Sequence, residues 1–235
     1  MNKTEVMSEL KKLAHAPTKQ TYLRHGAREP LFGVRVGDLK KIVKKVKKDH
    51  ALALELYDTG NSDAMYLAGL IADETKITPA HLKKWVKGAY WGWLTEYTVP
   101  WVASETSHGW TLGLEWIGAK QENVAASGWS TLSNVMSIKP DAELDLQAIE
   151  SLLARVERGI GGAKNRVRYV MNGFVIAAGA YVKPLHAKAL AAAERIGAIE
   201  VDMGGTACKV PPAADTIRKI AKMGRVGKKR KTARC

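Results

Sequence analysis

Cysteine is scarce in this chain: its 235 residues include only two, Cys208 and Cys235. The two form no Cys-x-x-Cys pair and stand in no Cys/His cluster. That excludes a disulfide scaffold and a structural zinc site of the usual ligand spacing. We therefore expect reduced thiols, as in a cytoplasm, and neither a metal nor a cofactor.

Long uncharged apolar runs are absent as well. None approaches the ~20 residues that a membrane-spanning helix needs. Segment 1–16 is amphipathic and lacks the apolar core of a signal peptide. Strand signals are confined to one short alternation at 199–203, which is too short for a sheet. With only two Phe, the interior must be filled by Leu, Ile, Val, Ala and Trp.

Acidic residues are outnumbered, with 23 Asp and Glu against 37 Lys and Arg, and the formal net charge is +14. The segment from Lys222 to Cys235 holds seven basic residues and no acid, so it accounts for half of that charge. Because the body is basic in its own right, we expect an acidic partner such as nucleic acid. We predict one domain over residues 1–223 and a basic, disordered tail over 224–235.

Helical periodicity runs through nearly the whole chain, and it is cleanest at Val36–Lys48. There Leu39, Ile42, Val43 and Val46 repeat at helical spacing and form one apolar stripe. Six lysines cover the rest of this helix, either as a solvated face or as a rim that faces phosphates. Many short helices joined by short loops predict an all-α stack of helical pairs, with a non-repeat bundle as the alternative.

All seven tryptophans fall between Trp85 and Trp129. Trp91 and Trp93 are two residues apart, so on an α-helix they point to different sides, and at most one belongs to the core. Trp110 and Trp129 follow glycines, and either one could line a groove. The tryptophans that we assign to the core, from their apolar neighbours, are Trp85, Trp101 and Trp116.

Five segments look familiar together. They read LFGVRVGDLKKIVKKVKK, NSDAMYLAGLIADE, WLTEYTVPWVASE, RVRYVMNGFVIAAGAYVKPL and EVDMGGTACKVPPAA. The chain thereby resembles the DNA alkylation repair family, the AlkD-like proteins. The resemblance implies a right-handed superhelical stack of HEAT/ARM-like antiparallel helical pairs, whose basic concave face holds double-stranded DNA by its backbone. It also implies a monomer in a bacterial cytoplasm, associated with the nucleoid and not with a membrane.

The glycosylases of that family release N3- and N7-alkylated purines and carry a Trp followed four positions later by Asp. Here Trp93 is followed by Tyr97 at that spacing, and Glu96 stands one position earlier. No arginine occurs near Ser127, where the family's arginine would fall. The resemblance implies Glu96, Trp93 and Tyr97 as the catalytic candidates. A carboxylate beside the sugar would stabilise the oxocarbenium-like charge as the base departs. Alternatively, Glu96 pairs with a Lys or Arg of a neighbouring helix.

The candidate DNA-binding residues combine indole rings with basic side chains. They are Trp91, Trp129, Lys40, Lys41, Lys44, Lys45, Lys48, Lys164, Arg166 and Arg168. Three functions remain open. The first is a glycosylase for cationic alkylated purines, and the second is a non-catalytic protein that binds damaged or branched DNA. The third is a helical scaffold that binds another protein.

Overall fold

The computed structural model describes residues 1–206 and 208–234, so Ala207 and Cys235 lie outside it. Within these ranges the chain is helical and contains no strand. The α-helices are α1 Lys3–Lys12, α2 Ala16–Arg24, α3 Val36–Val46, α4 His50–Tyr57, α5 Ser62–Ile71, α6 Pro79–Gly88, α7 Val99–Glu105, α8 Gly109–Trp116, α9 Glu122–Ile138, α10 Leu146–Gly159, α11 Asn165–Tyr181, α12 His186–Ile196 and α13 Ala213–Lys222. None of the helices described is long and apolar enough to cross a membrane.

Shorter helical turns connect some of these helices. A π-helix, Trp93–Thr98, leads directly into α7, and we call it the π segment. The 3₁₀ turns are Asp141–Glu143, Ile160–Gly162 and Lys183–Leu185. π-helical turns are rare and often occur at functional sites.

Local capping chemistry sets where several helices begin. Thr78 accepts a hydrogen bond from the backbone N–H of His81, and Pro79 occupies the first turn of α6. Asp145 caps α10 in the same way. The Asn61 side chain caps α5 by accepting from the amides of residues 63 and 64, which leaves the Asp63 carboxylate available for a different contact. Residues close in sequence therefore determine where these three helices begin.

The helices stack in consecutive pairs, with α9 in the middle. α9 packs against α8 on one side and α11 on the other, and α11 packs in turn against α12 and α13. Gly128 allows the close approach of α8, because a Cβ there would lie 2.6 Å from the backbone N of Ile117. One apolar cluster fills the stack up to Trp116 and a second begins at Ile117. This arrangement confirms the predicted stack of helical pairs.

The C-terminal segment corrects the prediction of a disordered tail. Residues 224–234 lie against the body, and Ala233 is fully buried. Arg234 donates to the carbonyl of Ala72 at the end of α5 (2.7 Å) and pairs with Glu74 (3.1 Å) and Glu105 (2.9 Å). These partners precede Arg234 by more than a hundred residues. A basic composition alone therefore does not reveal that the segment is a strap across the helical stack.

We expect Arg234→Ala to destabilise the protein, because Glu74 and Glu105 lose the guanidinium that compensates their partly buried charges. Removing one partner of such a buried ion network costs about 3 kcal/mol. The thermal midpoint should then fall by roughly 6–12 °C. Arg225→Ala is the matched control, since that side chain is exposed. Equal midpoints for the two variants in thermal unfolding monitored by circular dichroism would contradict this role.

Candidate nucleic-acid interface

A cleft of 670 Å³ opens between the N-terminal and C-terminal parts of the stack. Four stretches of the chain meet there: the end of α2, the segment around the π segment, the start of α11, and the loop before α13. The lining residues are Arg24, His25, Gly26, Tyr90, Trp91, Gly92, Trp93, Glu96, Tyr97, Asn165, Arg166, Tyr169, Asp202, Met203, Gly204, Cys208 and Lys209. All three predicted catalytic candidates are among them.

An aromatic cluster forms one wall of the cleft. The rings of Trp91 and Trp93 stack with centroids 5.4 Å apart and planes 15° apart. Tyr22 and Tyr66 lie 4.4 Å and 4.8 Å from Trp93. The expectation that the two indoles point to different sides is thus wrong. It assumed an α-helix, whereas Trp91 precedes the π segment and Trp93 begins it.

The π segment has a local cause. Pro100 has no N–H and cannot donate to the carbonyl four residues earlier, that of Glu96. Thr98 donates its hydroxyl to the carbonyl of Trp93 at 2.9 Å, which helps to close the wider turn. A Cβ at Gly69 would lie 2.5 Å from the Thr98 methyl group, so glycine in α5 admits this segment. The consequence is a shifted register, which turns Glu96 towards α11.

Glu96 is paired with Arg166 across 70 positions of sequence. Both Nε (2.7 Å) and Nη2 of Arg166 donate to the same carboxylate oxygen, Oε1. Glu96 is only 7% exposed. Burial raises the pKa of the Glu96 carboxyl, and the adjacent Arg166 charge opposes that rise without cancelling it. Of the two readings of Glu96, the structure shows the ion pair with a neighbouring helix.

Arg166 reaches the cleft as well as Glu96. Its guanidinium lies over the Tyr169 ring, 4.4 Å from the centroid, and its side chain is 30% exposed. Tyr97 is 41% exposed, and Trp93 is half-buried. The cleft therefore presents aromatic rings and a partly exposed arginine. Of the two acids that line it, Glu96 is already engaged by Arg166, and Asp202 is exposed.

A second buried carboxylate holds the loop before α3. Asp63 accepts hydrogen bonds from the backbone N–H groups of Phe32 (2.6 Å), Gly33 (3.0 Å) and Val34 (2.8 Å). Burial raises its pKa, and the three amides oppose that rise. No local sequence pattern predicts this contact of Asp63. The signal that could have revealed its role is that Asn61 already satisfies the cap of α5.

The candidate lysines of α3, and Lys48 just after it, lie outside the cleft. Lys41 pairs with Asp38 (2.7 Å), Lys48 with Glu74, and Lys45 approaches Glu9 at 3.9 Å. Within residues 1–206 and 208–234, Lys40 and Lys44 have no acidic partner. This exposed basic face is therefore only partly neutralised.

The three basic residues at the start of α11 take different positions. Lys164 donates to the carbonyl of Lys120 at 2.7 Å, and Arg168 donates to the carbonyls of Glu200 and Ala163. Of the three, Arg166 alone lines the cleft. Sequence reasoning missed two basic residues that also line it, Arg24 and Lys209, because neither belongs to a basic run.

Trp129 is not a groove residue. It is 1% exposed, and its ring packs edge-on against Phe174 of α11, with centroids 5.0 Å apart. The glycine before it marks the close contact of α9 with α8 and not an open groove. Its indole therefore offers no face to DNA. No cluster of three metal-ligating side chains occurs in the described part of the chain.

Comparison with known proteins identifies the family of this chain. The profile of the DNA alkylation repair enzyme family matches residues 6–201. The chain belongs to that family. It is 34% identical over 218 residues to two uncharacterized proteins, Lin0241 of Listeria innocua and Lmo0209 of Listeria monocytogenes, covering 90% of this chain and 94% of each relative.

A solved structure supports the same assignment. It represents a family of proteins related to the HEAT-like repeat DNA glycosylases with affinity for branched DNA structures. It superposes with a TM-score of 0.92 at 35% identity and covers 100% of both chains. The HEAT-like fold expected from the resemblance is thereby confirmed.

The ion pair predicts that neutralising Arg166 and neutralising Glu96 destabilise the protein to different extents. Arg166→Gln leaves Glu96 as a buried charge without its cation. This substitution should lower the free energy of unfolding by about 3 kcal/mol at pH 8. Glu96→Gln should cost less, because the partly exposed Arg166 can be hydrated. The folded protein already holds the pKa of Glu96 above its usual 4.5, and loss of Arg166 raises it further.

That raised pKa fixes the direction of the pH effect. The deficit of Arg166→Gln should be small near pH 4.5, where Glu96 is protonated in both proteins. It should grow as the pH rises through the raised pKa of Glu96 in the wild type, because the ionised carboxylate then has a cation only in the wild type. Thermal midpoints at pH 5 and pH 8 measure this difference. The double variant with Glu96→Gln is the control and should show no such growth. A deficit that is independent of pH would refute the assignment.

Proposed function

We propose that this protein binds branched or damaged DNA through the cleft and the neighbouring basic surface, and does not excise bases. One observation carries the proposal: both donor nitrogens of Arg166 engage the Glu96 carboxylate, the acid beside the aromatic cluster. Its place in the family and the matching structure support DNA repair as the setting, because that related family has affinity for branched DNA structures.

The chemistry of excision explains why the pair matters. As an alkylated purine departs, positive charge develops on the deoxyribose, and a nearby carboxylate lowers the barrier by stabilising it. Glu96 is 7% exposed, and its charge is already compensated by Arg166. It therefore offers little uncompensated negative charge to a sugar in the cleft.

Binding needs different features, and the cleft has them. Phosphates are attracted by basic side chains such as Arg24, Lys209 and the exposed part of Arg166. Unpaired bases stack on aromatic rings, and Trp93 and Tyr97 are accessible there. Lys40 and Lys44 of α3 offer a second basic surface for another DNA arm. We further propose that the protein acts as a monomer at the bacterial nucleoid.

Excision remains the second candidate, because one feature favours it. Trp93, Glu96 and Tyr97 all line the same cleft. For Glu96 to assist base release, DNA would have to draw Arg166 away, for example by pairing it with a phosphate. The two functions then differ in one measurable product, the released base.

The first test compares a four-way DNA junction with linear duplex in gel-shift titrations over a range of salt concentrations. We expect tighter binding of the junction and a steep loss of affinity with salt. Lys40→Gln combined with Lys44→Gln should lower the slope of log K against log salt by roughly 1.8, about 0.9 for each lost phosphate contact. Lys219→Gln with Lys222→Gln on α13 is the charge-matched control and should leave the slope unchanged.

The second test incubates the protein with methylated DNA and measures free 7-methylguanine and 3-methyladenine. We expect no release above background. Release that Glu96→Gln abolishes, with DNA affinity retained, would replace the binding proposal with the glycosylase. Absence of DNA affinity even at low salt would reject both and favour a protein-binding scaffold.

A further inference from the structure

A smaller cavity of 170 Å³ adjoins the cleft between α9 and α11. The two spaces share three lining residues, Glu96, Tyr97 and Tyr169. Tyr97 and Tyr169 therefore contribute to the walls of both spaces. Pockets for drug-sized ligands measure about 300–1,000 Å³, so this cavity suits a single small ring system.

Three polar side chains that line this cavity have atoms without a hydrogen-bond partner in the described residues. Asn172 is 2% exposed, and its Nδ2 donates to the carbonyl of Pro211 at 2.9 Å. Its Oδ1 accepts from no donor in residues 1–206 and 208–234. Ser130, 8% exposed, likewise has a hydroxyl without a hydrogen-bond partner in those ranges. Asn134 adds a half-buried side-chain amide without one.

These groups are available to a ligand. None of their side-chain atoms is among the fully buried ones that lack a hydrogen-bond partner, so each is accessible from the cavity, where water or a ligand supplies the partner. Ser130 and Asn134 lie one helical turn apart on α9, and Asn172 faces them from α11. Together they offer both donors and acceptors in one small space. That is the complement of the Watson–Crick edge of a nucleobase, which carries both.

We propose that this cavity receives one unpaired nucleobase from the branch point of bound DNA. The inference rests on the proposed DNA-binding function and identifies what its cleft selects. A base at a branch point is already unpaired, so moving it out of the stack costs least there. A base in continuous duplex would first have to break its pair and its stacking. The cavity would thereby favour branched over linear DNA.

Gly173 allows the cavity to be filled without a clash. It lines the cavity, and a Cβ added there meets no atom within 4 Å. Glycine within a helix is less stable than residues with side chains, so Gly173→Leu should fold. Gly159→Leu is the matched control. It also lies in a helix, also meets no atom within 4 Å, and lines neither space.

The experiment uses two versions of one DNA junction. One carries an unpaired base at its branch point, and the other has an abasic sugar at that position. We expect wild type and Gly159→Leu to bind the version with the base about tenfold more tightly, which corresponds to one or two hydrogen bonds. For Gly173→Leu this ratio should fall to about one. Asn134→Ala, a milder change that leaves the packing intact, should lower it several-fold.

The possible outcomes distinguish a failure of the base-binding inference from a failure of the proposed DNA-binding function. If wild type binds both junctions equally well, the cavity holds only water, and the inference is overturned while DNA binding stands. The inference is also overturned if Gly173→Leu shows the same ratio of affinities for the two junctions as the wild type. If wild type binds no branched DNA, the proposed function itself fails and this inference with it. Circular dichroism of each variant verifies that it is folded.

Discussion

The structure of this site depends on one buried ion pair, Glu96 with Arg166. A carboxylate that is 7% exposed is costly to ionise unless a cation and hydrogen bonds compensate it. Arg166 supplies both through two N–H groups directed at one oxygen. The pair joins the π segment to α11 and so links the two sides of the cleft. Because the guanidinium also lies over Tyr169, the same contact orients the cationic side of the cleft.

The aromatic wall and the ion pair have a common origin in the π segment. Pro100 removes a backbone donor where an α-helix would need one, and the wider turn spans Trp93–Thr98. Trp93 then stacks on Trp91, while Glu96 turns to α11. A regular helix through this stretch would separate the two indoles. Local backbone geometry thus decides which chemical groups face the cleft.

Sequence reasoning predicted what local patterns encode. The apolar stripe of α3 depends on residues within a turn or two, and it is observed: Leu39 and Ile42 are buried, and Val43 and Val46 pack against the core. The family resemblance supplied the HEAT-like stack and the catalytic interpretation of Glu96, while the ion pair was the alternative taken from the residue itself. What could not be predicted were contacts between distant residues. Arg234 with Glu105 is one such contact, and Asp63 with the loop before α3 is another. The hydrophobic periodicity of the sequence cannot predict such a pairing, because the two residues meet only once the helices are stacked.

DNA recognition and base excision make different electrostatic demands on a cleft. Recognition of DNA requires net positive charge and accessible rings, and a neutralised acid does not oppose either. Stabilising an oxocarbenium ion requires the opposite, a carboxylate whose charge is not already compensated. At hydrogen-bond distance, Arg166 cancels most of the field that Glu96 would exert on a sugar in the cleft. On the proposal that the protein binds DNA without excising bases, the closed pair leaves the basic and aromatic surface available and compensates the charge of Glu96.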